Sequence, residues 1–216
     1  GYAGVACQQP PGPQRTMNLY LLRHGETDYN RRKALQGQLD KPLNETGRNQ
    51  AREAARQLAG VTFDRVYVSP LHRTRDTAML ATGLREDQLT IEPAIIEISF
   101  GIWEGQTTDA LGEAFAPFFA DPPAYRPPEG GESLEHLVAR VGEFLDRVSR
   151  EHAGDHNILA VSHGAAIHAL LTAALGTPLS QFWAESVGNC GFLVLHHDGT
   201  AWTLAQHCAA RDKYYG

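Results

Sequence analysis

A histidine followed by a glycine occurs twice in this chain where a short apolar run stops, in Leu21-Leu22-Arg23-His24-Gly25 and in Val161-Ser162-His163-Gly164. The apolar runs, 18–22 and 157–161, have the length of buried strands, so each histidine stands at a strand's carboxyl end, where open α/β sheets build their sites. The glycines allow a tight turn and close approach of a ligand to backbone N–H groups. A neutral imidazole is a nucleophile near neutral pH, and its phosphoramidate is labile, so a histidine can divide phosphate-ester cleavage into two easier steps. Taken alone, His24 reads more simply as a strand-end side chain satisfied by backbone. Arg23 alters that balance, because a guanidinium forks onto phosphate oxygens and a phosphomonoester brings about two negative charges. Neighbouring residues on an extended strand point to opposite faces, so both reach one pocket if the strand ends there, which Gly25 permits.

Arg73 lies early in the helix expected after a second strand, in Ser69-Pro70-Leu71-His72-Arg73, near the same sheet edge. A helix N-terminus there offers free N–H groups to a phosphate. Arg75 reads as a solvated surface residue. Glu97 is a lone carboxylate in Ile95-Ile96-Glu97-Ile98, surroundings that raise a carboxyl pKa. Such a group can protonate a leaving alkoxide and later take a proton from water. His152, His156, His196, His197 and His207 have neither the helical i, i+4 spacing nor the cysteine partners of metal sites, so no metal and no other cofactor is expected. His168 reads as a packed or partner-satisfied residue, and Trp183 and Trp202 as core side chains rather than stacking platforms.

The elements that must position these groups follow from periodicity. Asn44 caps a helix with Ala51, Ala54, Ala55 and Leu58 on one face, ended by Gly60. Val66-Tyr67-Val68 is a strand, followed by a helix over 71–81 with Pro70 in its first turn and Gly83 as its stop. The stripe Leu134, Leu137, Val138, Val141, Leu145 and Val148 marks a helix from 133 to about 150. Strand 158–161 leads into a helix over 165–175, closed by Gly176 and Pro178. Two last strands, 191–196 and 201–204, turn at Asp198-Gly199. This alternation predicts an α/β fold, a three-layer α/β/α sandwich around a mostly parallel central sheet, the last hairpin strand antiparallel at an edge. Residues 104–131, rich in proline and phenylalanine, are expected as a helical and irregular insertion over the active site.

With 216 residues, 42% of them hydrophobic, the chain can bury a substantial core. We expect one domain over 17–216, preceded by a proline-rich extension, 1–16, that lacks the pattern of a signal peptide. A formal charge of −6 argues against a nucleic-acid or anionic-membrane partner. An anionic substrate must therefore be met by local cations. The longest apolar stretch, 165–175, is too short to cross a bilayer. Cys7, Cys190 and Cys208 show no paired or metal-type spacing, which suits a reducing, cytoplasmic compartment.

In order along the chain stand Leu22-Arg23-His24-Gly25-Glu26-Thr27, Asn30, Gln36-Gly37-Gln38-Leu39-Asp40-Lys41-Pro42-Leu43-Asn44-Glu45-Thr46-Gly47, Ser69-Pro70-Leu71-His72-Arg73, Glu97 with Phe100-Gly101-Ile102-Trp103-Glu104-Gly105, Gly130-Gly131-Glu132-Ser133, and Ser162-His163-Gly164. This series resembles the histidine phosphatase superfamily, in its phosphoglycerate-mutase-like branch, from Met17 to about His196. The resemblance implies that His24 is the phosphorylated nucleophile and Glu97 the proton donor. It implies that Arg23, Arg73 and His163 contact the phosphoryl oxygens, with hydrogen bonds added by Asn30 and the Gly164 backbone N–H. It also implies an unprotonated His24 nitrogen facing phosphorus, its other nitrogen on a backbone carbonyl, and a protonated His163.

A mutase must hold a doubly phosphorylated species, yet the insertion sets Arg126 alone against Glu104, Asp109, Glu113, Asp121 and Glu129, and Arg31-Arg32-Lys33 reads as a solvated loop. The expected function is therefore phosphomonoester hydrolysis of a small phosphorylated metabolite. Phosphoglycerate mutase activity and non-catalytic phosphate binding are the alternatives. The insertion's aromatic residues suggest a partly apolar substrate, a water-excluding lid, or a small core of their own.

Overall fold

In the computed structural model, which describes residues 16–205, the chain enters through β1 (Met17–Arg23), with six of its seven residues buried. A strand covered on both faces belongs inside a sheet. There follow α1 (Asp28–Arg31), α2 (Glu45–Leu58), β2 (Arg65–Val68), α3 (His72–Thr82) and the two-residue β3 (Thr90–Ile91). The insertion contains two single-turn helices, α4 (Thr108–Leu111) and α5 (Pro117–Ala120). The order ends with α6 (Leu134–Glu151), β4 (Asn157–Ser162), α7 (Gly164–Leu175), β5 (Phe192–His197) and β6 (Trp202–Ala205). The extension 1–15, with Cys7, and the tail carrying His207 and Cys208 lie outside the described residues.

Local chemistry sets the helix ends. Asn44 accepts the Gly47 N–H, Ser133 accepts the His136 N–H, and Gly83 closes α3 in the left-handed region at φ 75°. α3 starts later than expected: Leu71 stays extended, and Pro70 precedes the helix instead of opening it. Thr74 ties this entry together by donating its hydroxyl to the carbonyls of Ser69 and Leu71. Arg75, expected in solvent, is half-buried and paired with Glu86.

The strands lie in the order β3-β2-β4-β1-β5-β6. β1 to β4 run parallel, whereas β5 runs antiparallel to β1 and β6 antiparallel to β5. Antiparallel pairing thus begins one strand earlier than expected. Its cause is the turn at Cys190, whose N–H donates to the Arg23 carbonyl at 3.0 Å, so β5 starts beside the carboxyl end of β1 and must run back along it. Alternate residues feed two cores. Leu19, Leu21, Ile158 and Ala160 pack with α6 and α7, while Tyr20, Leu22, Leu159 and Val161 pack with α2 and α3, giving the three layers. Phe115, Phe118 and Tyr125 of the insertion are each 2% exposed and join the α6/α7 core. Among the described residues no helix is long and apolar enough to cross a membrane.

The glycine after His24 serves packing. A Cβ on Gly25 would lie 2.5 Å from the Gly47 carbonyl oxygen, and one on Gly47 would lie 2.1 Å from that of Glu26. The strand exit and the first turn of α2 therefore meet backbone to backbone. Gly47→Ala is expected to lower unfolding stability by roughly 1–3 kcal/mol, the range for overpacking, with both sides of the contact unable to yield. A urea midpoint that falls while the slope stays constant would register this loss.

Candidate active site

β1 and β4 pair with Arg23 opposite Ser162, so the two strands end together and the residues that follow emerge side by side. The His24 N–H donates to the Ser162 carbonyl at 3.1 Å, and the rings of His24 and His163 have centroids 5.2 Å apart. β2 lies on the far side of β4, and α3 after it carries Arg73 into the same place, fully buried. The Arg73 Nε–H donates to His163 Nδ1 at 3.2 Å, and its two terminal nitrogens donate to the carbonyls of Leu39 and Gly37. Arg23 donates to the Val187 carbonyl at 3.0 Å. A Cβ on Gly164 would stand 3.4 Å from Arg23 Cζ, so this glycine leaves room for a guanidinium across the start of α7.

Hydrogen bonds fix the tautomers. His24 Nδ1 lies 2.6 Å from the Gly25 carbonyl oxygen, so it carries the hydrogen and Nε2 keeps its lone pair. Burial and the guanidiniums of Arg73 and Arg23 push the His24 pKa well below the usual imidazole value. His163 accepts from Arg73 at Nδ1 and donates from Nε2 to Ser69 Oγ at 2.7 Å. Burial, with Arg73 and His24 beside it, also lowers its pKa well below the ordinary one. In this arrangement His163 is neutral, where the resemblance implies the protonated form. Arg73 is itself brought down to about 10 by burial and stays cationic at neutral pH.

Glu97 does more than sit among apolar neighbours. Its carboxylate accepts the N–H groups of Ala165 at 3.2 Å, Ala166 at 2.9 Å and Ile98 at 2.9 Å, and so fills the first turn of α7, where amides have no partner within the helix. Burial raises its pKa, and these N–H groups and Arg73 pull the other way without prevailing. Asn30 spends its carboxamide oxygen on the Thr27 N–H at 3.0 Å in the cap of α1.

Arg23, His24, Asn30, Arg73, Glu97 and Gly164 all line one cavity of about 480 Å³. His163, fully buried, stands behind them against His24 and Arg73. The seven residues expected from the sequence to form the site are thus brought to one place. Trp183 packs against the core as expected, and its partly buried ring also lines this cavity and donates its indole N–H to the Phe118 carbonyl at 2.7 Å. His168 is buried with its two ring nitrogens facing the carbonyls of Gly164 and Glu185, and the neutral imidazole donates to one of them. Sequence reasoning missed Ser69, the Gly37 and Leu39 carbonyls, and Asn189, which donates to the His24 carbonyl at 3.0 Å. Ser69 had a signal, since it closes the apolar run of β2 as His24 closes that of β1. Gly37 takes a φ of 52°, and a Cβ there would strike the Glu104 carboxylate, so the loop that offers these carbonyls is built around a missing side chain. Among the described residues no group of histidine, cysteine, aspartate and glutamate could hold a metal ion.

An imidazole with a free lone pair beside guanidiniums, at the strand ends of a three-layer sheet, is an arrangement suited to phosphomonoester chemistry, and the comparisons show a phosphomonoesterase. The chain belongs to the histidine phosphatase superfamily (branch 1), whose family model matches residues 19–209. It is 33% identical over 189 residues to the putative phosphoserine phosphatase 2 of Hydrogenobacter thermophilus, an alignment covering 86% of this chain and 92% of that one. It is 31% identical over 190 residues to a probable phosphoglycerate mutase of Photorhabdus laumondii, covering 86% and 87%. The solved mycobacterial glucosyl-3-phosphoglycerate phosphatase complexed with VO3 matches with a TM-score of 0.77 and 32% identity, over 87% of this chain and 96% of that one. Phosphatases thus stand among the relatives both by sequence and by structure.

Proposed function

We propose that this phosphatase cleaves a small phosphomonoester through a phosphohistidine on His24. The observation that carries the reading is the Nε2 lone pair of His24, freed by the Nδ1–H bond to Gly25 in a cavity wall shared with Arg23 and Arg73. In the first step His24 Nε2 bonds to phosphorus as the bond to the alkoxide breaks, and the Glu97 carboxylic acid gives its proton to the departing oxygen. In the second, water attacks phosphorus and passes a proton to the Glu97 carboxylate. The phosphorus–nitrogen bond then breaks, its electron pair returns to Nε2, and inorganic phosphate leaves. Arg23, Arg73, Asn30 and the Gly164 N–H stabilise charge on the equatorial oxygens, the largest contribution in such transfers. Burial and the guanidiniums hold His163 neutral, and a phosphoryl dianion offsets the guanidiniums' share. His163 then takes a proton from solvent at Nδ1 and donates it to a phosphoryl oxygen, with Nε2 kept on Ser69, while the Arg73 Nε–H that Nδ1 had accepted turns to the phosphoryl group as well.

The guanidiniums supply the positive charge, so turnover is expected to persist in excess chelator. A cytoplasmic setting fits the free, buried thiol of Cys190. Hydrolysis is favoured over mutase action because Lys33 is the one cation on the cavity wall beyond Arg23 and Arg73 among the described residues. With 3-phosphoglycerate and a bisphosphate primer, phosphate release should exceed isomerisation; the opposite ranking would overturn the hydrolase assignment.

The two shifted groups also set a pH dependence. His24 must be a free base, and its lowered pKa keeps it so into mildly acidic solution. Glu97 must begin protonated, and its raised pKa extends that form above the ordinary glutamate range. The rate of the first step is therefore expected to fall as pH rises through the Glu97 pKa and as pH drops through the His24 pKa. Glu97→Gln should lower kcat by about 10²–10⁴-fold for alkyl esters and flatten that alkaline limb. An alkaline limb that survives in the glutamine variant would remove Glu97 from the role.

A further inference from the structure

One wall of the cavity has no part in the phosphoryl chemistry. It is formed by Phe119 of the insertion and Trp183, whose ring centroids are 4.9 Å apart. Phe119 is 57% exposed, one of three large apolar side chains left open among the described residues, while its neighbours Phe115 and Phe118 are packed at 2%. Phe119 therefore keeps more than half of its surface open beside Trp183, and two aromatic rings together on a cavity wall are an apolar surface that a ligand can cover. The polar edge of Trp183 is already taken by the Phe118 carbonyl, so the indole has no spare donor for a ligand. Lys33 and Glu185 also line the cavity, with opposite signs. A leaving group bearing a carboxylate or a second phosphate meets one cation and one repelling carboxylate, whereas a flat apolar group meets two rings.

We propose that the natural substrate's leaving group carries an aromatic or similarly flat apolar ring that packs on Phe119 and Trp183. This rests on the hydrolase reading above and narrows it to a substrate class. The test compares phosphate release from 2-phenylethyl phosphate, ethyl phosphate, O-phosphoserine and 3-phosphoglycerate, all of which expel a primary alkoxide, so the bond broken is matched. The kcat/KM for 2-phenylethyl phosphate is expected to exceed each of the others by about tenfold or more, chiefly through KM. In Phe119→Ala the ratio of phenylethyl to ethyl ester should fall several-fold, about as expected for losing one face of a buried ring. Release that favours O-phosphoserine or 3-phosphoglycerate, or a ratio unmoved in Phe119→Ala, overturns the inference and leaves the hydrolase standing. No release from any of the four esters overturns the hydrolase reading, and the inference falls with it.

Discussion

In His24→Ala, kcat is expected to fall by about 10⁴-fold or more, because the variant keeps its charged pocket and loses the atom that would bond to phosphorus. Nothing nearby can substitute. Both nitrogens of His163 are engaged, by Arg73 and Ser69, and Glu97 is tied to three backbone N–H groups. The fold should survive, since burial and two guanidiniums make the removed imidazole costly to charge, and its ring has one main-chain partner, the Gly25 carbonyl that accepts its Nδ1–H. Inorganic phosphate should still bind, within about tenfold of the parent affinity, through Arg23 and Arg73. Rapid-quench trapping of acid-labile phosphate on the parent, absent from the variant, is the matching measurement. Turnover above about one per cent in His24→Ala would rule out the nucleophile.

Arg73→Lys keeps the charge and is nevertheless expected to lower kcat/KM by about 10³-fold. A lysine presents three donors from one point. The guanidinium of Arg73 reaches His163, Gly37 and Leu39 along separate directions and still has N–H groups to turn on a phosphoryl oxygen. Without the fork, the Gly37 and Leu39 carbonyls and His163 Nδ1 compete for one ammonium, and each buried acceptor left unpaired costs about 1–3 kcal/mol. Stability and catalysis should therefore fall together, and inorganic phosphate should restore little of the lost melting temperature. A lysine variant within tenfold of the parent would show that charge alone suffices at this position.

These expectations attach to residues visible in the sequence to unequal degrees. The helix α6 was readable from its apolar stripe, and β1 and β4 from runs too short and too apolar for surface helices. Asn44, Gly83 and Gly176 marked helix ends through their own backbone chemistry. Strand order was not readable, since β1 and β4 are neighbours across most of the chain and nothing local in either names the other. β3 has two residues, too few for any period to register. In the site, side chains with distinctive chemistry stood out, whereas the carbonyls of Gly37 and Leu39 have no side-chain signature at all. Glu97 was legible as a carboxylate in apolar company, but its seat on the first turn of α7 depends on a tertiary approach that sequence spacing does not contain.

Because Phe115, Phe118 and Tyr125 are rooted in the same core as α6 and α7, the rim above the cavity is a fixed parapet, and it cannot swing aside without unpacking the body of the molecule. Entry and exit then use a standing doorway, with no hinged cover among these three residues. Phe119 stands on that parapet with little share in the foundations. A lineage can exchange it, and with it the clientele of molecules admitted, while the machinery at the strand ends is left untouched.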